Sequence, residues 1–168
     1  MSTGMKLPRR EHMYLEAAEG WLELGNYAEA NEELERITPR LRAHPDVLRV
    51  RYEVFAKARK WEIAAEIARA FSEIVPLDSF GFIHLANALH EMKRTREALD
   101  VLLPILNSFP GDETILYDAA RYFAQLGDRK SAWACLEQAI DMVGSSEIKL
   151  RALDDPDLEP LWLDIAEI

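Results

Sequence analysis

One cysteine, Cys135, stands alone in 168 residues, so no internal disulfide can staple the chain, a usage that fits a reducing compartment. No run approaches the roughly 18 apolar residues of a membrane span, and the opening MSTGMKLPRREH lacks the apolar core of a secretory signal. Lys and Arg number 20 against 30 Asp and Glu, a formal charge of −10. A surface of that sign repels phosphate backbones and anionic lipid heads unless its cations cluster, and the cluster near the start is the short Lys6, Arg9 and Arg10. The expectation is a soluble, cytoplasmic protein with neither nucleic acid nor membrane as partner.

Equipment for chemistry is scarce as well. The 7 glycines are scattered and mostly end helices, which leaves no phosphate-cradling loop. His84 and His90 are six apart, off a common helical face, and so do not make the i, i+4 pair of a helical metal site. Cys135 precedes an apolar position, Leu136, and has no adjacent histidine to activate it. The sequence therefore reads as non-enzymatic, with no catalytic residue, metal or cofactor expected.

What the chain does have is a period. Ala30, Ala64, Ala98 and Ala132 recur every 34 residues. Four further columns keep the interval with apolar residues: Tyr14, Leu48, Phe82, Leu116; Trp21, Phe55, Leu89, Phe123; Leu24, Ala58, Met92, Leu126; and Ile37, Phe71, Ile105, Ala139. A small residue in one column and large apolar ones in the others is the pattern of a stacked helix pair, the alanine allowing close approach. At this length there is material for one ordinary domain.

In chain order, residues 1–10 read as a flexible tail. Repeats follow at 11–44, 45–78, 79–112 and 113–144, each two helices divided by a turn such as Gly25-Asn26 or Gly127-Asp128. Val75-Pro76-Leu77-Asp78 and Phe109-Pro110-Gly111-Asp112 end the second and third. Gly81 and Pro104 break helical rules inside repeat three, and Pro104 is expected to bend its helix. Residues 145–168 read as capping helices that cover the apolar side of the last repeat. Their stripe of Leu158, Leu161, Trp162 and Ile165 would serve that cover or, with the same spacing, pack on a second copy as a homodimer contact.

The alanine column, the Leu24-Gly25-Asn26-Tyr27 and Leu126-Gly127-Asp128 turns, and the closing Pro76 and Pro110 resemble the tetratricopeptide repeat (TPR) over about residues 11–144. Departures are Arg42 in place of the closing proline, Arg59-Lys60 and Lys93-Arg94 at turns, and Arg129 in the aromatic column. The resemblance implies an all-α, right-handed helical-repeat solenoid of antiparallel helix pairs. It also implies a groove lined by the first helix of each repeat.

With the fourth, seventh, eighth and eleventh positions of each first helix used for packing, the opposite face makes a wall. Its expected binding residues are Arg49, Glu53, Phe80, Ile83, His84, Asn87, Tyr117, Asp118 and Arg121, apolar and aromatic groups among donors able to hold a carboxylate or peptide backbone. Some family members bind acidic chaperone termini through a basic clamp. The matching positions here, Leu15, Glu19, Val50, Phe80 and His84, or Arg49, Glu53, His84, Thr114 and Asp118, do not make one. The functional expectation is a protein-protein interaction scaffold that binds a peptide segment of a partner along the groove. The alternatives are a cytoplasmic substrate chaperone of the secretion type and a regulatory protein responsive to a small molecule.

Overall fold

A computed structural model describes residues 6–167. Among these the regular elements are all helical: α1 (Arg9–Glu23), α2 (Tyr27–Arg36), α3 (Pro45–Lys57), α4 (Trp61–Ile74), α5 (Phe80–Glu91), α6 (Thr95–Leu102), α7 (Glu113–Gln125), α8 (Arg129–Val143), α9 (Ser145–Leu153) and α10 (Trp162–Ala166), with 3-10 turns at Pro39–Leu41, Leu103–Ile105 and Pro156–Leu161. The chain divides into two compact units, 1–81 and 82–168. Within them α1 packs on α2, α3 on α4, and α7 on α8. Of the expected N-terminal tail, residues 1–5 lie outside the described residues. Arg9 and Arg10 already belong to α1, because Pro8 caps the helix with a backbone its ring presets.

The 34-residue period is visible as repeated local geometry. Ala30, Ala64, Ala98 and Ala132 are all fully buried, the environment in which a larger side chain would force paired helices apart. A second column is conformational: Gly25, Arg59, Lys93 and Gly127 all have left-handed φ, of 73°, 56°, 64° and 81°. In each case the next residue's amide closes the helix by donating five residues back: Asn26 to Trp21, Lys60 to Phe55, Arg94 to Leu89 and Asp128 to Phe123. Arg59 and Lys93 thus hold the turn without glycine's freedom. This column also corrects an expectation, since Leu24 and Leu126, placed with the core columns, end their helices just before it and are 76% and 37% exposed.

Unit 1 buries Leu15, Ala18, Leu34, Ile37, Val47, Val50 and Val54 in one cluster, so Leu15 and Val50 face neighbouring helices and not an open wall. Arg42 replaces the closing proline by donating from Nε to the Ile37 carbonyl (3.0 Å) and pairing with Glu35 (2.6 Å). Gly81 is explained by proximity: a Cβ there would sit 2.6 Å from the backbone nitrogen of Ser72. Glycine is what lets these two backbones meet.

In unit 2, Pro104 ends α6 instead of bending it. The helix stops at Leu102 and the chain continues as a 3-10 turn, since the ring removes an amide and clashes with the preceding turn. Beyond α8 the chain bends at Gly144 and returns through α9 to α10. Ile148, Ala152, Leu158, Leu161 and Ile165 of this segment are at most 1% exposed. Burying each large aliphatic side chain contributes about 1.5–3 kcal/mol, so the segment is an integral part of the unit's core.

Candidate functional site

The densest polar arrangement lies in unit 2, on the first helices of its repeats. Residues one turn apart on α7 share a face, and this aligns Tyr117, Asp118, Arg121 and Gln125 there, with His90 arriving from the end of α5. Onto this face the chain lays its own acidic turn, Asp155-Pro156-Asp157. Asp155 opens the turn by accepting the Asp157 amide through Oδ1 (3.0 Å), a local bond that aspartate favours at helix starts. Its Oδ2 accepts the Tyr117 hydroxyl (3.2 Å) and lies 3.0 Å from Arg121 Nε. Asp157 Oδ2 accepts from Arg121 (2.7 Å) and from His90 Nε2 (3.0 Å), and the Asp157 carbonyl accepts from Gln125 (2.9 Å).

His90 is 5% exposed, and both of its ring nitrogens are engaged. A carboxylate can only accept, so Nε2 carries the proton toward Asp157 while Nδ1 meets the Thr95 hydroxyl at 3.0 Å. The ring lies 4.7 Å from that of Tyr122. Arg121 also donates to Asp118 (3.0 Å), so one guanidinium serves three carboxylates. The surroundings of those carboxylates differ. The hydrogen bond from His90, reinforced against burial by Arg121, lowers the Asp157 carboxyl to about 2. Burial raises the Asp118 carboxyl, a trend Arg121 opposes, while burial and then Asp155 raise the Tyr117 phenol. Burial alone would lower the Arg121 guanidinium, but Asp118 and Asp155 overcome it and hold it above its ordinary value. Arg151 flanks the site, its guanidinium 4.1 Å over the Tyr117 ring and paired with Glu113 at 2.9 Å.

The sequence-derived groove residues separate into two groups. Tyr117, Asp118 and Arg121 come together, but the chain's own residues 155–157 cover them, which removes them from the surface open to a partner. Ile83, His84 and Asn87 on α5 keep partial exposure. In unit 1, Arg49 pairs with Asp78 while lying 4.1 Å over the Phe80 ring and 4.7 Å over that of Phe71. Phe80 is thereby a packing residue, edge-on to Tyr52 at 5.9 Å; Glu53 beside Arg49 on α3 is half-buried.

The expected self-association stripe is likewise spent within the chain. Leu158, Leu161 and Ile165 are core residues, and Trp162 donates its indole N–H to the Ala152 carbonyl at 2.9 Å. An apolar stripe with helical spacing looks the same whether it closes its own domain or meets another copy. Sequence reasoning missed Asp155, Asp157 and His90 as members of one site. The available signal was charge: two aspartates bracketing a proline in a chain whose last repeat carries Arg121. Among the described residues no group of three or more histidine, cysteine, aspartate or glutamate side chains is placed to hold a metal ion. Burial, and then Asp128, raises the Cys135 thiol, which disfavours the reactive thiolate. No described helix is long and apolar enough to cross a membrane.

No protein-family model and no curated protein matches this sequence. Solved structures do. The thermophilic TPR protein TTC0263 of Thermus thermophilus is similar at TM-score 0.72 and 22% identity, over 92% of this chain and 82% of its own. YrrB, described as a TPR protein with an unusual peptide-binding site, is similar at TM-score 0.69 and 22% identity, over 84% and 73%. MamA MSR-1 follows at TM-score 0.65 and 20% identity, over 84% and 78%. The chain has the tetratricopeptide-repeat fold.

Proposed function

We propose that this chain uses its tetratricopeptide-repeat fold as a non-enzymatic interaction module that binds a peptide segment of a partner protein on partly exposed faces of its first helices. The observation that carries the reading is the chain's own acidic turn. A peptide segment lies across α7, held through two carboxylates and one main-chain carbonyl by Tyr117, Arg121, Gln125 and His90. A face of this kind supplies the donors that peptide recognition needs, on a rigid scaffold that leaves most of the ordering cost with the ligand. YrrB, similar in fold, is described as having a peptide-binding site, which agrees with this reading.

Because Tyr117, Asp118 and Arg121 are covered, the partner surface is assigned to Ile83, His84 and Asn87 of α5, with Arg49 and Glu53 of α3 as a second patch. The test is affinity capture from a lysate of the source organism with the unsubstituted protein and an Ile83→Asp, Asn87→Asp variant of checked helicity. Loss of a captured protein with the variant supports the assignment. Equal capture by both refutes it.

A further inference from the structure

The connection between α8 and α9 is a single residue, Gly144, at φ 100° and ψ 152°, where an added Cβ would meet nothing within 4 Å. The hydrogen-bond ladder is intact up to this glycine and resumes at it: its amide donates to Ile140 (2.7 Å), and its carbonyl accepts from Ile148 (3.4 Å). Only the amides of Ser145, Ser146 and Glu147 fall outside the ladder, and α9 has no side-chain cap. Rotating Gly144 into the helical region would fuse α8 and α9 into one helix over 129–153 and give those three amides i→i−4 partners. The open form therefore gains backbone hydrogen bonds while it loses the docking of everything beyond.

That docking has two properties. Its polar half is specific and complementary: Asp155 and Asp157 to Tyr117, Arg121, Gln125 and His90, Arg151 to Glu113, and Asp164 to Arg129 at 2.8 Å. Its apolar half, Ile148, Leu158, Leu161 and Ile165, is fully buried and cannot remain in water. A released segment needs a socket of the same shape and charge. The socket known to fit it is the one on another copy of this chain.

We propose that residues 145–167 exchange between two copies. Gly144 is the hinge, and Asp155 and Asp157 of one copy dock on Tyr117, Arg121, Gln125 and His90 of the other. Each site in the dimer is then completed by residues of both chains, with the contacts of the closed monomer preserved and the helix made continuous. Such reciprocal exchange is a low-cost route to a symmetric dimer.

The first test is light scattering during size-exclusion chromatography. Gly144→Ala penalises the left-handed bend without creating a clash, so it is expected to run at twice the chain's 19.2 kDa. The unsubstituted protein is expected to yield the same species when refolded at high concentration. A Gly144→Ala protein that stays at the monomer mass at every concentration overturns the proposal. Should that variant fail to fold, full-length Arg121→Glu and Asp155→Lys, Asp157→Lys chains refolded together decide the matter. Exchange places acid against arginine in one site and lysine against glutamate in the other, so the mixed dimer should exceed either homodimer by tenfold or more. Absence of the mixed dimer overturns the proposal.

Discussion

Neutralising Asp157 as Asp157→Asn removes a carboxylate held by both His90 and Arg121 while keeping an oxygen that can accept. An unfolded aspartate titrates near 3.9, whereas in the fold this carboxyl lies at about 2. A depression of that size corresponds to ~2.6 kcal/mol if fully expressed. The side chain is 24% exposed, and solvent screening reduces the figure to about 1–2 kcal/mol. A depressed carboxyl contributes stability that is complete above the unfolded pKa and lost as pH falls through the folded one. The variant should therefore melt about 2–8 °C below the unsubstituted protein at pH 6, using about 2–4 °C per kcal/mol at this chain length. The gap should close between pH 4 and pH 2. Thermal melts followed by circular dichroism at low ionic strength measure it. Equal stability at pH 6, or a gap unchanged at pH 2, would refute the assignment of Asp157 as the anchored carboxylate. Asp118 supplies the contrast on the same arginine: burial raises its carboxyl, so Asp118→Asn should leave stability at pH 7 unchanged or raise it, and a marked loss would contradict the burial argument.

Arg59→Gly and Lys93→Gly should each stabilise by roughly 1 kcal/mol in urea denaturation, because both positions are left-handed and glycine adopts that region without a Cβ penalty. Gly81→Ala should destabilise by about 1–3 kcal/mol, since its Cβ would lie 2.6–2.8 Å from Ser72 backbone atoms, and a melting temperature equal to the parent's would sink the close-approach account. Leu158→Ala should cost about 2–5 kcal/mol as a buried large-to-small change, where a freely exposed stripe would cost almost nothing.

The period was legible because stacking forces it. A fully buried alanine every 34 residues is a steric requirement of paired helices, and it appears in the sequence as a fixed letter. The left-handed column was only half legible. Gly25 and Gly127 announce the turn, but Arg59 and Lys93 reach the same φ because the five-residue closing bond holds them there. Leu24 shows the converse, an apolar residue in perfect register that is exposed because it sits at a helix end. The site was the least legible part. Arg121 and Tyr117 were recognised as donors on an inner face, yet their acceptor comes from the turn at Asp155 to Asp157, and no spacing rule relates a repeat to the segment that closes it. Periodicity specifies which residues face inward; it does not specify which part of the chain, or of a partner, they face.

Hydrogen–deuterium exchange of the intact protein, with and without a captured partner, tests the functional account most directly. Slowed exchange in α5 around Ile83, His84 and Asn87, or in α3 around Arg49 and Glu53, with α8 and α9 unchanged, is the predicted result. Protection confined to α8 and α9 would place the partner on a different face and contradict it.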